Sequence, residues 1–290
     1  MRKGWTTEED NKILFKKKSD ESWKDFTSRE LPHRTHEAVR LHAVRYLGVN
    51  NKTYTHRTYS FDKDVWKTQT PESCYWAGFI AADGCLIEYN GGTSLCIDLQ
   101  KRDSSHLEKF AKFCEYNGGL QKERKRGNSI TQSIRINLGK DFWIDDLKDH
   151  YNITSRKTYS LEPPNIEGDY LLWCYIIGFI DGDGCIHLNS RKSLQFQVVG
   201  ASYEFICWLQ WMFSDLAKNS YLRKNKRIVS KQSKYYNAGL YGLPACAVID
   251  YLSSFPVPKL ERKWTDSSVI NHIQEQKEKY PDKFIKKQYN

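Results

Sequence analysis

One apolar segment occurs twice in this chain and limits how the chain can fold. Tyr75–Leu86 reads YWAGFIAADGCL, and Tyr175–Ile186 reads YIIGFIDGDGCI one hundred positions later. Each copy sets small residues four apart, Gly78 with Ala82 and Gly178 with Gly182, in an apolar run whose spacing predicts a helix. Residues four apart share a helix face, so each copy shows a strip with little side chain, and two such strips let helix backbones approach closely. Each strip ends at Asp-Gly, as Asp83-Gly84 and Asp183-Gly184. Glycine suits the left-handed position that closes many helices, which puts each Asp in the last turn, against the negative end of the dipole. Parallel pairing then sets two carboxylates side by side, where like charges repel and a shared divalent cation would relieve the repulsion.

Two copies of the segment imply two copies of one structural unit, and the intervening chain agrees. Alternation predicts strands at Cys85–Tyr89, Ser94–Leu99, Leu120–Arg126 and Ile130–Leu138, with helices at Leu107–Tyr116 and Lys140–Asp149. The second half repeats the order. Strands fall at Cys185–Leu188, Leu194–Val199, Tyr221–Val229 and Tyr235–Leu240, and helices at Tyr203–Ala217 and Pro244–Ser253. The expected fold class is therefore α+β, two pseudo-symmetric αββαββα units packed through the repeated helices. They occupy residues 71–162 and 163–265, followed by a helical or mobile extension at 266–290.

Residues 1–48 read as a separate three-helix module. Thr6 or Thr7 caps a first helix from about Glu8, with Trp5 and Leu14 on its buried side; a second runs from about Glu21 to Arg29; Thr35 caps the third. Three short helices ending in a basic one have the outline of a helix-turn-helix reader. Residues 49–70 lack an apolar period and read as a linker, with Arg57 among its basic residues. His33, His36 and His42 have no companion cysteine pattern for zinc.

The charge balance, 45 Lys plus Arg against 35 Asp plus Glu, favours a polyanionic partner. The eight cysteines form no close CxxC pair, which speaks against structural zinc or a disulfide framework and for a reducing compartment. No apolar run is long enough for a bilayer and the N-terminus has no apolar targeting core, so a soluble intracellular protein without a membrane partner is expected. Antiparallel sheets covered by helices on one face leave the other face open. Its candidate donors are Lys101, Arg102, Lys122, Arg124, Arg126 and Arg135 in the first unit, and Arg191, Gln195, Gln197, Arg223, Lys224, Lys226, Lys231 and Lys234 in the second. Two-stranded ribbons fit the DNA major groove, whose base edges are distinct for each pair.

With these residues in view, the paired GFIAADG and GFIDGDG segments resemble the two motifs of a single-chain LAGLIDADG homing endonuclease over about residues 72–265. The N-terminal pattern WTTEED, SWKDF and LPHRTHEAVRLHAVRYLG resembles a Myb or SANT-like repeat, with Arg34, His36, Arg40 and Arg45 as candidate DNA contacts. The family resemblance implies that Asp83 and Asp183 bind metal at the helix seam, that Gln100 orients a water, and that Lys157 and Lys263 are the active-site lysines, with Arg156 or Arg262 as exchangeable neighbours. The position matching Gln100 in the second unit falls near Gly200, and Ala81 stands where the second copy has Asp181. The implied activity is metal-dependent hydrolysis of double-stranded DNA at a long asymmetric target, by a monomer using Mg²⁺ with Mn²⁺ as substitute and leaving four-base 3′ overhangs. The implied compartment is the cytoplasm of a prokaryotic or phage-infected cell, or an organelle. A regulator or intron RNA maturase on the same fold, binding without cleavage, is the alternative. An intein is disfavoured, because a helical module begins the chain.

Overall fold

The computed structural model describes residues 4–17, 21–49, 59–89, 92–139, 143–218, 230–232 and 235–285. The chain divides into two compact units, Met1–Thr58 and Tyr59–Asn290.

In the first unit, helix α1 (Thr7–Lys16) opens with a capping box: the Thr6 hydroxyl accepts from Glu9 N at 3.3 Å while Thr6 N donates to Glu9 Oε2 at 2.9 Å. Ser22 and Thr35 cap α2 (Trp23–Glu30) and α3 (His36–Tyr46) by their hydroxyls alone, which accept from Asp25 N and Ala38 N. The three helices close on Ile13, Phe26, Leu31, Val39 and Ala43, with Trp5, Trp23 and Leu47 around them. Leu14, expected to be buried, is 46% exposed, because one helical step turns the side chain by about 100° and Ile13 takes the inward direction.

The second unit begins before the repeated helix. Trp66 is fully buried, Trp143 Nε1 donates to Asp62 O at 2.9 Å, and Asn137 N donates to the Tyr59 hydroxyl at 2.9 Å. Residues 59–70, read from sequence as linker, thus pack into this unit; their aromatic residues supply buried area despite the polar neighbours. Helix α4 (Pro71–Asp83) is followed by β1 (Gly84–Tyr89), β2 (Gly92–Gln100), α5 (Ser104–Phe113), β3 (Arg124–Arg126), β4 (Ser129–Gly139) and α6 (Ile144–Tyr151). Helix α7 (Asp169–Asp183) then leads β5 (Gly184–Leu188), β6 (Leu194–Gly200), α8 (Tyr203–Lys218), β7 (Ser230–Gln232), β8 (Tyr235–Tyr241) and α9 (Leu243–Ser253). Helices α10 (Glu261–Trp264) and α11 (Ser267–Lys279) follow. The expected strand at 221–229 lies outside the described residues.

Both sheets are antiparallel with the same order, β1-β2-β4-β3 and β5-β6-β8-β7. Alternation decides what each face meets. Leu95, Ile97 and Leu99 of β2 and Ile134, Ile136 and Leu138 of β4 are buried, as are Leu194, Phe196 and Val198 of β6. Cys96 and Asp98, or Gln195 and Gln197, lie between them on the open faces and keep access to solvent.

The seam is where the sequence repeat takes effect. A methyl group built on Gly78 would lie 1.9 Å from Tyr175 O, and one on Gly178 would lie 1.8 Å from Tyr75 O, so each glycine admits the other helix's backbone. The two glycines ending the helices correct one expectation. Gly84 (φ −79°, ψ 149°) and Gly184 (φ −91°, ψ 156°) are extended, not left-handed. Each strand starts directly at its helix end with no intervening turn, and a Cβ at either position would lie within 2.7 Å of the carbonyl of Ile80 or Ile180. Close approach, not positive φ, requires glycine there. No helix among the described residues is long and apolar enough to cross a membrane.

Candidate metal and nucleic-acid site

Because the seam helices end together, Asp83 and Asp183 are set beside each other. The Asp83 Cγ lies 3.4 Å from where a methyl on Gly182 would sit. Both residues are exposed at the surface, and neither carboxylate has a hydrogen-bond or ion-pair partner among the described residues. The dense surroundings hold both carboxyls above the ordinary range. For Asp83 the cause is desolvation, opposed by Lys263 and Lys157; Asp183 is pushed up to about 6 by desolvation and by the charge on Asp83.

Lys157 and Lys263 come to the same place by different routes. Arg156, in the left-handed region at φ 59°, turns the chain into the short turn Lys157–Tyr159, and the buried Lys157 ammonium donates to Gly84 O at the end of α4. Lys263, on α10, donates to Ile180 O at 2.9 Å, Asp181 O at 2.6 Å and Gly182 O at 3.2 Å. Each ammonium caps a helix end that also carries an Asp, which offsets the unfavourable dipole there. Burial lowers the pKa of both lysines against the opposing pull of the acidic groups. Arg262 is committed elsewhere, to Asp103 with 2.9 Å contacts to both carboxylate oxygens.

A buried network fastens the Lys263 side. Asp181, 1% exposed, accepts from Trp264 Nε1 at 2.6 Å, from Leu260 N at 2.8 Å and from the Tyr75 hydroxyl at 2.7 Å. Since Tyr75 donates its proton to Asp181, the 2.9 Å contact between its oxygen and His106 Nε2 makes Nε2 the donor. Desolvation lowers the His106 pKa to about 3, so the ring is neutral. Ala81, 5% exposed, stands in place of this carboxylate on the other helix. Sequence reasoning missed Tyr75, His106 and Trp264; a carboxylate within an apolar helix, which must find buried donors, is the signal that points to such partners.

Gln100 is not among the residues lining the recess that holds Asp183. It is exposed at the end of β2, bordering a shallow depression with Lys101, Arg102 and Asn128–Ile130. Gly200 lines a recess of about 240 Å³ with Asp183, Lys157, Ala81, Phe205 and Tyr235.

The candidate nucleic-acid residues fall into four groups. Arg135 of β4, Arg124 of β3 and Gln195 and Gln197 of β6 lie on strands of the two sheets, and Gln197 Nε2 donates to the Tyr241 hydroxyl at 2.5 Å. Lys122 and Arg191 are exposed in connections, and Lys101 pairs with Glu123 at 2.9 Å. Arg57, Arg223, Lys224, Lys226 and Lys234 lie outside the described residues, as do the side chains of Arg126 and Lys231. In the first unit, His36 and Arg45 are exposed and Arg40 pairs with Glu37. Arg34 is held by Glu9 at 2.8 and 3.0 Å and lies 4.4 Å over the Trp5 ring, so its guanidinium ties helices together.

No family model matches the chain. No curated protein matches it either. Among solved structures it is similar to the LAGLIDADG meganuclease I-AabMI bound to uncleaved DNA, at 14% identity over 72% of this chain and 91% of that one, TM-score 0.44. It is also similar to I-SmaMI bound to an uncleaved DNA target in the presence of calcium ions, at 14% identity over 74% and 97%, TM-score 0.41. A third is the I-LtrWI LAGLIDADG homing endonuclease bound to target DNA, at 11% identity over 75% and 98%, TM-score 0.39.

Proposed function

We propose that the chain is a metal-dependent, site-specific endonuclease of double-stranded DNA, built from two pseudo-symmetric LAGLIDADG units behind a Myb-like N-terminal reader. The observation that carries this reading is the pair of unpartnered carboxylates, Asp83 and Asp183, brought together by glycine-mediated helix packing and flanked by two capped ammonium groups. Such a pair would be a persistent repulsion unless a cation shared it.

The donors fit a small hard cation. Mg²⁺ binds through one or two carboxylates and completes its shell with water and phosphate oxygens. No group of three or more His, Cys, Asp or Glu ligands occurs among the described residues; in this reading Asp83 and Asp183 are the ligands the chain itself would supply. When bound, such a cation supplies charge neutralisation and an acidified water. The chain's own residues do the rest. Asp83 and Asp183 hold the cation, with Mn²⁺ as a substitute for Mg²⁺. The ammonium groups of Lys157 and Lys263, fixed by backbone carbonyls, face the charge that develops on the phosphate. Gln100, exposed at the end of β2, orients a water. The open sheet faces present Arg124, Arg135, Gln195 and Gln197 to base edges. His36, Arg40 and Arg45 give the N-terminal unit its contacts, and tethering two readers raises affinity by effective concentration.

Selection from a randomised duplex library with Mg²⁺, repeated with Asp183→Asn, tests this. Double-strand cleavage at a defined sequence, with 3′ overhangs and abolished in the variant, is expected. Cleavage unchanged in the variant would remove Asp183 from the site, and selective binding without cleavage by the unaltered chain would favour a regulator.

A further inference from the structure

The open face of the first sheet carries two thiols that the proposed chemistry does not use. Cys85 and Cys96 are directly opposite in the antiparallel ladder of β1 and β2. Both alternate with buried residues, Leu86 on one strand and Leu95 and Ile97 on the other, so they share the solvent face; Cys85 is exposed and Cys96 half-buried. Opposed residues in an antiparallel pair have Cα atoms about 4.5 or 5.5 Å apart. A disulfide spans Cα separations of about 4.4 to 6.8 Å, so the Cα spacing of either kind of pair suits one, and a small approach of the strands brings the Cβ atoms, about 4.5–5.5 Å apart in such pairs, to the roughly 3.5–4.5 Å that a disulfide needs. The second sheet provides an internal control. Cys185 is exposed at the matching position, but its ladder partner is Gln197 and its sulfur lies 3.4 Å from His187 Nδ1. Cys74, Cys114, Cys174 and Cys246 are buried.

We propose that Cys85 and Cys96 form a redox-active dithiol that a low-molecular-weight disulfide converts to an intrachain bridge in the folded protein, whereas Cys185 takes only a mixed disulfide. The sulfur of Cys85 attacks the reagent, releasing one small thiol and leaving a mixed disulfide. The sulfur of Cys96 then displaces the second small thiol. The two thiol hydrogens and two electrons pass to the reagent, which leaves as two thiols. Ring closure outruns a second encounter because the opposed strand already holds Cys96 in place. In a reducing compartment such a bridge is transient, as a sensor requires.

The full-length chain is treated with oxidised glutathione, its remaining thiols are blocked with N-ethylmaleimide, and its peptides are mapped by mass spectrometry. A bridged peptide pair containing Cys85 and Cys96, a glutathione adduct on Cys185 and full reversal by dithiothreitol are expected. Cys96→Ser moves Cys85 into the adduct class, and Cys85→Ser does the same for Cys96, so one variant suffices if the other fails to fold. Separate adducts on Cys85 and Cys96, or a bridge from either to another cysteine, with the circular dichroism unchanged, would overturn the proposal. A second arm adds a duplex recovered by the selection above at about ten times its Kd, which leaves the face free about a tenth of the time and slows bridging about tenfold. An undiminished rate there would move the DNA off this face, and the bridge itself, mapped without DNA, would stand.

Discussion

Gly178→Ala tests the seam on which the proposed site rests. Replacing glycine by alanine inside a helix ordinarily stabilises by about 1 kcal/mol, because alanine loses less backbone freedom on folding. Here the added methyl would sit 1.8 Å from Tyr75 O, 2.8 Å from Tyr75 C and 2.9 Å from Phe79 N. Ordinary contact begins at 3.4 Å, and backbone atoms cannot rotate away as a side-chain tip can. The helices must separate by roughly 1.6 Å, and a gap of even 0.5–1 Å forfeits about a quarter to a half of the dispersion energy across the contact. Overpacking costs about 1–3 kcal/mol, occasionally more, and α4 with α7 is the most extensively contacting pair of elements in the chain. The clash therefore outweighs propensity: at the upper end of that cost a net loss of about 2 kcal/mol is expected, or a Tm drop of about 4–8 °C for a unit of this size. Thermal unfolding followed by circular dichroism measures it. Gly182→Ala gives a sharper companion, because its methyl would meet the Ala82 Cβ at 2.3 Å. Ala82→Gly in the same chain returns that space and should recover most of the loss. An unchanged or raised Tm for Gly178→Ala would refute the close packing.

Three further outcomes follow from the same geometry. Tyr75→Phe leaves Asp181 short of a donor and the His106 Nε2–H without an acceptor, both buried; a loss of about 1–3 kcal/mol is expected in chemical denaturation. Asp183→Asn should stabilise the cation-free protein while abolishing cleavage. The Asp183 pKa is raised to about 6 from 3.8, so stability from its neutral form is complete below about pH 3.8 and is lost as pH rises through about 6, and the variant's Tm advantage should open across that window. Glu9 has the opposite sign. Arg34, foremost, with His33 and Thr6 N holds its pKa down from 4.5 to about 2, so its contribution is present above about pH 4.5 and lost as pH falls toward 2. Hydrogen exchange over residues 4–49 should show that loss of about 1–3 kcal/mol, and Glu9→Gln should remove the pH dependence.

The parts of this fold that sequence makes legible are those with a short-range physical cause. Small residues four apart dictate close helix packing whatever surrounds them, and Gly78 and Gly178 pack on the opposite backbone. Alternation of Leu95, Ile97 and Leu99 with polar residues sets strand and face together. What stayed hidden depends on partners far along the chain. Asp181 is held by Tyr75 and Trp264, 106 and 83 positions away, and no local pattern predicts that meeting. Arg34 reads as a nucleic-acid contact by its charge, yet its partner Glu9 is 25 residues earlier. Asp-Gly likewise reads as a helix stop with a left-handed glycine, while the observed extended glycine is required by a carbonyl that only the direct helix-to-strand junction brings near. Arg262 and Lys263 are adjacent in sequence and opposite in use, one paired to Asp103 and the other capping α7.

The two lysine sites are built with unequal rigidity, and that inequality starts from one residue of the repeat. On the Lys263 side, Asp181 binds the backbone at Leu260 and the indole of Trp264, bracketing the lysine, while Arg262 fastens the same segment to Asp103 beside α5. The Lys263 ammonium then meets three carbonyls of α7. On the Lys157 side, Ala81 offers no such anchor; the segment is held by the bond to Gly84 O, by Ser155 Oγ donating to Glu88 Oε1, by Asn152 Nδ2 donating to Pro163 O at 2.5 Å and, farther on, by Ser202 Oγ donating to Leu161 O at 2.7 Å. A buried carboxylate satisfied by three donors fixes its partners far more firmly than a methyl group does. Under the proposed reading, a lysine held in place before DNA arrives needs less reorganisation when charge develops on the phosphate than one whose segment has no buried carboxylate to anchor it. The substitution of Ala81 for a second Asp makes the two lysine sites unequal, which under the proposed reading suits an asymmetric duplex.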